Sequence, residues 1–393
     1  MIVQESGMKL PTRLVHRAKG PLANVESLTL PIYETTTFVF DSADQVREYN
    51  EGKGGKYLYS RYENPTVVAV EQTLAALEGA EAAILLSSGQ AATTTALLTL
   101  VSAGDEVVCS AAIYGGTLHL LTEIFARLGV VVRFARVEAF REPEKLLTDR
   151  TRLVWFESPI NPTLRCIDIA AVAAACRARN VLSVIDNTFA SPVNQQPLAL
   201  GVNLVMHSAT KYLNGHTDVT AGVLVGDATL IGRIEKVRRR VGGIIDPQPA
   251  YALGRGLKTL AVRVERQNAT ATTVAEWLSR DRRIAAVYYP GLPNHPDHEI
   301  AKRQMRGFGG MVCVDVGGSY ERAARFFDRL QVIQRAASLG GVESLCSLPV
   351  LTSQWGHTDE ELHEAGVTRS MARLSIGLED PEDLIADLDQ ALG

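Results

Sequence analysis

The chain has 393 residues, of which 46% are hydrophobic and 21% charged, so we expect two to three domains with sizeable cores. Forty lysines and arginines against 44 aspartates and glutamates leave a net charge of −4, which argues against a nucleic-acid partner. No apolar stretch approaches the roughly 20 residues of a membrane-spanning helix, and the N-terminus lacks the apolar core of a signal peptide, which together predict a cytoplasmic protein without membrane contact.

Residues 1–60 have little helical periodicity and are interrupted by Pro11, Pro21 and Pro31. The threonine run Thr35–Thr37 and the glycine-rich stretch at 52–56 continue this pattern. Long segments without regular structure are often functional or wrap a partner, so we predict an N-terminal arm. A frayed terminus is the alternative.

From Asn64 onward, short apolar strands alternate with helices. Pro65 suits the first turn of a helix that Gly79 ends. The predicted strands are Ala82–Leu86, Val107–Cys109, Val130–Phe134, Leu153–Phe156, Val181–Ile185 and Leu204–Met206, with helices between them such as Leu118–Leu128 and Ile169–Arg179. This alternation predicts an α/β domain over residues 61–250, with a mostly parallel sheet that is covered on both faces.

Beyond residue 250 the rhythm changes. A helical stretch with Leu257, Leu260 and Val264 on one face runs toward Trp277. A strand at 311–316, an amphipathic helix at 321–330 and a final helix ending at 392 follow. We interpret residues 251–393 as a smaller C-terminal α+β domain.

Polar residues follow several of the predicted strands. Ligands bind at the carboxyl ends of the strands in an open α/β sheet, so these segments are candidates for a site. They are Ser87–Gln90, Glu157–Pro162, Asp186–Thr188 and His207–Lys211. We therefore expect their side chains to meet at one edge of the sheet.

Each of these signals also has a structural explanation. Ser88-Gly89 before a helix suits an anion such as phosphate, or is an ordinary strand-to-helix turn. Asp186 after a buried strand needs cationic or donor partners, or caps a turn. Lys211 is a Schiff-base former if partly dry, or a solvated loop lysine. A phosphate cradle, a carboxylate and a lysine at one sheet edge are together what pyridoxal phosphate requires.

Two apparent motifs do not hold. The stretch GRGLKT at 254–259 departs from the phosphate-loop spacing, and no strand precedes it. His295 and His298 lie in a proline-rich loop without further ligands at metal spacing, so we expect no metal site there. The five cysteines are scattered and contain no C-x-x-C pair, so we expect neither a thiolate metal site nor a disulfide framework. No G-x-G-x-x-G follows the first strands, which disfavours a dehydrogenase.

Seven segments resemble the Cys/Met-metabolism family of pyridoxal-phosphate enzymes, in order along essentially the whole chain. They are YSRYENPT (59–66), SSGQAA (87–92), YGGT (114–117), ESPINP (157–162), IDNTFASP (185–192), HSATKYLNGHTD (207–218) and RLSIGLED (373–380). The resemblance implies the fold-type I architecture of pyridoxal 5′-phosphate enzymes. It also implies a homotetramer built from two catalytic dimers.

The resemblance further implies a role for each matching residue. Lys211 would form the imine with the cofactor, and Asp186 would pair with the pyridine nitrogen. Residues implied to hold the phosphate are Gly89, Gln90, Ser208 and Thr210, with Tyr59 and Arg61 reaching in from the neighbouring subunit. Tyr114 would stack on the cofactor ring and act as acid or base. Residues implied to bind the substrate carboxylate are Arg373, Ser338 and Asn161.

The family contains both eliminating and replacing enzymes, and three positions bear on the choice: His119 and Ala337 favour elimination from an uncharged thioether, whereas Gly116 departs from the methionine γ-lyases. Methionine γ-lyases of the family usually have Cys where this chain has Gly116, but enzymes that handle cystathionine usually have Arg in place of His119 and Glu in place of Ala337. We therefore expect γ-elimination from methionine, cystathionine or homocysteine. The alternatives are a γ-replacement enzyme, namely a cystathionine γ-synthase or an acylhomoserine sulfhydrylase, and a non-enzymatic protein that kept the fold.

Overall fold

The structure is a computed structural model that describes residues 9–15, 27–53 and 55–393. The predicted arm therefore falls partly outside the described residues, including Pro21 and most of the segment that was examined for a signal peptide. Within the described ranges, no helix combines the length and the apolar content needed to cross a bilayer.

The larger of two sheets has seven strands in the order β1-β7-β6-β5-β4-β2-β3. The strands are β1 (Ala82–Leu86), β2 (Glu106–Ser110), β3 (Val131–Ala135), β4 (Thr151–Glu157), β5 (Leu182–Asp186), β6 (Leu204–Ser208) and β7 (Gly222–Gly226). All pairs are parallel except those of β7, which runs antiparallel to both of its neighbours. The six predicted strands are confirmed, whereas β7 was not predicted.

Helices cover both faces of this sheet. Successive side chains of a strand point to opposite faces, so in β4 the fully buried Trp155 and Phe156 belong to two different apolar clusters. Within the described ranges the helices are α1 (Leu10–Val15), α2 (Ala43–Asn50), α3 (Pro65–Glu78), α4 (Gly89–Leu100), α5 (Gly115–His119), α6 (Ile169–Ala178), α7 (Ser191–Asn194), α8 (Ala228–Val241), α9 (Pro247–Leu257), α10 (Leu260–Arg280), α11 (His298–Gln304), α12 (Tyr320–Arg329), α13 (Asp359–Glu364) and α14 (Pro381–Leu392).

The helix ends follow from local chemistry. The side chain of Asn64 accepts a hydrogen bond from the N–H of Thr66 at the start of α3, and Gly79 ends this helix in the left-handed conformation with φ 68°. The predicted helix Leu118–Leu128 is instead the short α5 followed by a π-helical turn at Leu120–Phe125.

The smaller sheet has five strands in the order β10-β11-β12-β9-β8. They are β8 (Ala286–Tyr288), β9 (Met311–Asp315), β10 (Gln334–Arg335), β11 (Leu345–Ser347) and β12 (Met371–Ser375). The long helix α10 and the helices α12 and α14 pack on this sheet around one apolar core. Leu257 ends α9 and the other residues of the predicted apolar face belong to α10, so the single predicted stretch is two helices.

The predicted α/β class, with a large mostly parallel sheet and a smaller C-terminal sheet, is confirmed. The predicted domain boundary at residue 250 falls inside the helix α9. The division into residues 1–60, 61–250 and 251–393 stays a prediction.

Candidate active site

One cavity of about 760 Å³ lies at the carboxyl ends of β4, β5 and β6, under segments of the smaller sheet. It brings together ten of the twelve residues singled out from the sequence. They are Gly89, Gln90, Tyr114, Asn161, Asp186, Ser208, Thr210, Lys211, Ser338 and Arg373.

Lys211 lies in the turn just after β6. Its Nζ donates a hydrogen bond of 3.0 Å to the hydroxyl of Ser338, which belongs to the segment before β11. Burial lowers the pKa of Lys211 from its usual value, and the nearby charge of Arg373 lowers this pKa further. The lysine is therefore more readily a neutral amine, which is the form that acts as a nucleophile or base.

Asp186 ends β5, and the last residue of the neighbouring strand β4 is also a carboxylate, Glu157. Oδ1 of Asp186 accepts hydrogen bonds from the backbone N–H and the hydroxyl of Thr188. Burial raises the pKa of Asp186, and these two hydrogen bonds oppose the rise. A carboxylate at this place suits a protonated ring nitrogen.

The turn between β1 and α4 forms an anion cradle. The side chain of Ser88 caps α4 by accepting a 3.0 Å hydrogen bond from the N–H of Ala91. A Cβ on Gly89 would lie 3.1 Å from Cβ of Ser208, so the helix N-terminus faces that hydroxyl closely. A Cβ on Gly222 would overlap the carbonyl of Ser88, so β7 must have glycine where it passes this turn. Free amide hydrogens and hydroxyls at a helix N-terminus suit phosphate.

Thr210 holds the lysine turn against the start of β7. Its hydroxyl donates to the carbonyl of Ala221 at 3.2 Å and accepts from the same residue's N–H at 2.9 Å. These two bonds fix the turn between Ser208 and Lys211, beside the cradle.

Arg373 reaches the cavity from β12 of the smaller sheet. Its Nη1 donates to Oδ1 of Asn161 at 2.8 Å, and its Nη2 donates to the carbonyl of Ser338 at 3.2 Å. The buried Nε has no hydrogen-bond partner within the described part of the chain. A buried guanidinium with donors left over suits a carboxylate, which it can bind in a bidentate manner.

Tyr114 directly precedes α5 and is 48% exposed at the mouth of the cavity. Its backbone N–H donates a 2.7 Å hydrogen bond to Glu157. A Cβ on Gly116 would overlap the amide of Gln90 and the ring of Tyr114. Glycine at position 116 therefore leaves room for the side chain of Gln90.

Tyr59 and Arg61 do not line the cavity of their own chain. Tyr59 forms a bridge with Thr37, and the guanidinium of Arg61 lies 4.8 Å from the ring centre of Tyr62 and contacts the carbonyl of Arg239. Within one subunit, the structure does not bring these two residues to the other ten.

Among the lining residues that the sequence reasoning did not select, four bear on the site. Glu157 stood among the strand-end residues but was not selected, although it occupies the same position on β4 as Asp186 does on β5. Phe189 lies near the guanidinium of Arg373, with 6.0 Å between that group and the ring centre. Leu351 and Trp355 lie at the mouth, the latter 70% exposed, in a segment without periodicity that gave no sequence signal.

The residues of this cavity fit pyridoxal phosphate. They supply an amine with a lowered pKa, an acid at the sheet edge and an anion cradle, and Arg373 retains an unpaired donor for a second anion. In the described ranges, no three His, Cys, Asp or Glu side chains are grouped as metal ligands would be. His298 of the proline-rich loop contacts the carbonyl of Pro290.

Comparisons with known proteins agree with this fit. The profile of the family "Cys/Met metabolism PLP-dependent enzyme" matches residues 11–393. The chain is 41% identical to L-methionine gamma-lyase of Fusobacterium nucleatum subsp. nucleatum, covering 100% of this chain and 99% of that protein. It is 40% identical to cystathionine gamma-synthase 1, chloroplastic, of Arabidopsis thaliana, covering 93% and 65%. The crystal structure of cystathionine gamma-lyase from Lactobacillus plantarum complexed with L-serine superposes with a TM-score of 0.91 at 36% identity, covering 98% of each chain.

Proposed function

The chain belongs to the Cys/Met-metabolism family of PLP-dependent enzymes, and from that premise we propose that it catalyses γ-elimination on sulfur amino acids. The substrates are methionine and related thioethers or thiols such as cystathionine and homocysteine. With methionine, the Cγ–S bond breaks and one water is consumed, giving 2-oxobutanoate, ammonia and methanethiol.

The residues of the cavity floor would hold the cofactor. Lys211 would bind it covalently through Nζ, and Asp186 would pair with its ring nitrogen. Gly89, Gln90 and Ser208 would hold the phosphate, with Thr210 fixing the turn between them. When bound, pyridoxal phosphate supplies an electron sink for the carbanion at the substrate α-carbon.

The observation that carries the proposal is a shared contact at Ser338. Nζ of Lys211 donates to the hydroxyl of Ser338, and Nη2 of Arg373 donates to the carbonyl of the same residue. The amine and the carboxylate-binding guanidinium are thus held on the two sides of one residue. An amino acid whose carboxylate binds Arg373 therefore has its α-carbon close to the amine.

Two proton transfers follow from this placement. Lys211, once released as a neutral amine, removes the proton from the α-carbon, and its lowered pKa favours that form. The hydroxyl of Tyr114, at the open side of the cavity, donates a proton to the departing sulfur.

The outer part of the cavity favours an uncharged γ substituent. It is lined by Ala337, Leu351 and Trp355. Apart from Lys211 and Arg373, the one residue among the described lining residues that could carry a positive charge is His119, and this side chain pairs with Glu123 at 3.1 Å. A second carboxylate at that end would find no free guanidinium. This favours methionine over cystathionine.

We also propose that the enzyme is a cytoplasmic homotetramer of two catalytic dimers. Leu28 and Val39 of the arm are 90% and 85% exposed and are therefore available for apolar contact with another chain. Tyr59 and Arg61 lie away from their own cavity and complete the phosphate site of the neighbouring subunit. Light scattering of the purified protein should give the tetramer mass, and Arg61→Ala should weaken cofactor binding without changing that mass.

A substrate panel tests the reaction. Methionine, cystathionine, homocysteine, O-acetylhomoserine and O-succinylhomoserine are compared side by side, the two esters with and without cysteine or sulfide. Release of 2-oxobutanoate and methanethiol from methionine supports elimination. Formation of a new thioether or of homocysteine from the acylhomoserines, without release from methionine, would make it a synthase or sulfhydrylase.

A lysine variant tests the cofactor assignment. Lys211→Ala should lose the borohydride-sensitive yellow colour, whereas Lys258→Ala, at an exposed position, should keep it. Retention of that colour in Lys211→Ala would refute the imine assignment, and an unmodified protein without the colour would support the non-enzymatic alternative.

A further inference from the structure

Two neighbouring strands end in carboxylates at the same level of the large sheet. Glu157 of β4 and Asp186 of β5 are register partners in a parallel pair, and both line the cavity. Glu157 is only 4% exposed. Side chains at paired positions of adjacent parallel strands point to the same face, so the two carboxyl groups are close neighbours.

No cation is paired with either carboxyl group in the part of the chain that the structure describes. The other titratable and charged groups around the pair are Cys109, Tyr114, His207, Lys211 and Arg373. His207 contacts Glu78 at 2.6 Å, and its charge lowers the pKa of Asp186, which favours the ionised form of that residue. Lys211 and Arg373 both donate to Ser338. Burial holds the pKa of the Cys109 thiol well above its usual value, so that group is neutral.

Two buried carboxylates side by side repel each other strongly, because their repulsion is barely screened and neither is solvated. The proposed cofactor would supply a single positive charge, at the ring nitrogen beside Asp186, which balances one ionised carboxylate and not two. We propose that Glu157 and Asp186 share a single proton, which resides on Glu157 while Asp186 carries the negative charge. Glu157 is then a neutral positioning residue in the floor of the site rather than a second anion.

Burial, rather than the number of hydrogen bonds, decides which group holds the proton. Asp186 accepts two donors of Thr188 on one oxygen, and Glu157 accepts the backbone N–H groups of Tyr114, at 2.7 Å, and of Asn161. Glu157 is the more deeply buried of the two, and burial penalises the charged form. Burial and then the charge of Asp186 raise the pKa of Glu157 well above its usual value, which agrees with this assignment.

This arrangement deepens the proposed function and rests on it for the cofactor. A single negative charge at Asp186 matches one protonated ring nitrogen. The neutral Glu157 accepts the hydrogen bond of the Tyr114 N–H and thereby positions the ring of Tyr114, which borders the cavity just before α5.

Matched neutral substitutions test which carboxyl group carries the charge. Glu157→Gln preserves the shape and neutrality of a protonated glutamic acid, and it should bind pyridoxal phosphate within about threefold of the unmodified enzyme in a cofactor titration. Asp186→Asn removes the proposed anion and should weaken cofactor binding by about 10- to 100-fold. Comparable losses in both variants, or a greater loss in Glu157→Gln, would overturn the proposal.

Infrared spectroscopy tests the proton directly, in the holoenzyme and in the cofactor-stripped full chain. At neutral pH, the carbonyl band of protonated carboxyl groups should lose the contribution of one group in Glu157→Gln, whereas Glu71, whose pKa burial raises to about 7, contributes to both spectra alike. In Asp186→Asn the contribution of Glu157 should disappear at a lower pH, since the neighbouring charge that holds the proton is gone. A spectrum without such a band, or a band unaffected by Glu157→Gln, would refute the assignment.

The infrared test separates this proposal from the proposed reaction. A protein without lyase activity can still show the contribution of Glu157 to the band and its loss in Glu157→Gln, and an active lyase can lack it. If Glu157→Gln does not fold, Glu157→Met supplies a neutral side chain of similar length, and the same loss of that contribution is expected.

Discussion

The substitution Arg373→Lys separates charge from geometry at the carboxylate site. In the structure, Nη1 and Nη2 are held by Asn161 and Ser338, and the buried Nε is left without a partner. A substrate carboxylate would therefore bind Nε together with a remaining Nη hydrogen. Lysine keeps the positive charge but offers a single nitrogen, which cannot hold Asn161, Ser338 and both carboxylate oxygens at once.

The expected magnitude follows from the donors that are lost. Hydrogen bonds to charged groups contribute about 1.5–3 kcal/mol each, and the substitution removes at least one to the substrate and loosens the second. A loss of about 3 kcal/mol corresponds to about a 150-fold decrease in kcat/KM, since about 1.4 kcal/mol is a factor of ten. Most of this loss should be in KM, because the carboxylate is bound alike before and during proton transfer.

The assay is steady-state release of 2-oxobutanoate from methionine, with cofactor occupancy measured from its absorbance. Arg280→Lys, at an exposed position on α10, is the matched control and should behave as the unmodified enzyme. A decrease of less than about threefold in kcat/KM at full cofactor occupancy would show that Arg373 does not bind the carboxylate.

Three further predictions concern the amine, the distal wall and the smaller sheet. The rising limb of the kcat–pH profile should follow the deprotonation of Lys211. Because burial and the charge of Arg373 lower the pKa of Lys211, Arg373→Gln should move this limb to higher pH. Arg373→Lys keeps the charge and should leave the limb in place. Gly116→Cys should change cofactor binding by less than about threefold, because its Cβ meets only the ends of the flexible side chains of Gln90 and Tyr114, which can move; a cofactor titration checks this, and a loss of about tenfold or more would contradict it. Asp387→Ala should lower the free energy of unfolding by about 3 kcal/mol, because Asp387 accepts hydrogen bonds from three consecutive backbone N–H groups before β10. Denaturant unfolding measures this free energy, and a decrease of less than about 1 kcal/mol would contradict the prediction.

Much of the fold was predictable because its signals are local. Six apolar runs of the length of a strand alternate with helices, and each of those strands exists in the structure. In the large sheet, the strand that was not predicted is β7, the short stretch GVLVG, whose sequence does not reveal that it enters antiparallel between β1 and β6. In the smaller sheet only β9 was predicted. The position of β7 matters for the site, since Gly222 passes directly under the turn of Ser88.

The residues of the candidate site also fall into those that the sequence pattern indicated and those that it did not. The strand-end pattern alone pointed to Asp186 and Lys211, because a parallel sheet brings the carboxyl ends of its strands to one edge. Arg373 came only from the family resemblance, since it lies about 160 residues farther along on another sheet, and no periodicity connects it to the first.

Pattern and composition by themselves determined the α/β class, the strand ends that carry polar groups and the chemistry those groups could perform. Only the tertiary structure decided which groups lie close enough to share a proton, to form a hydrogen bond or to line the same part of the cavity. Glu157 and Asp186 become a coupled pair through strand register, and Lys211 and Arg373 meet at Ser338 through the packing of two sheets. The physical reason is that pKa values and substrate geometry depend on distances of a few ångströms between residues far apart in the chain, which sequence periodicity does not encode.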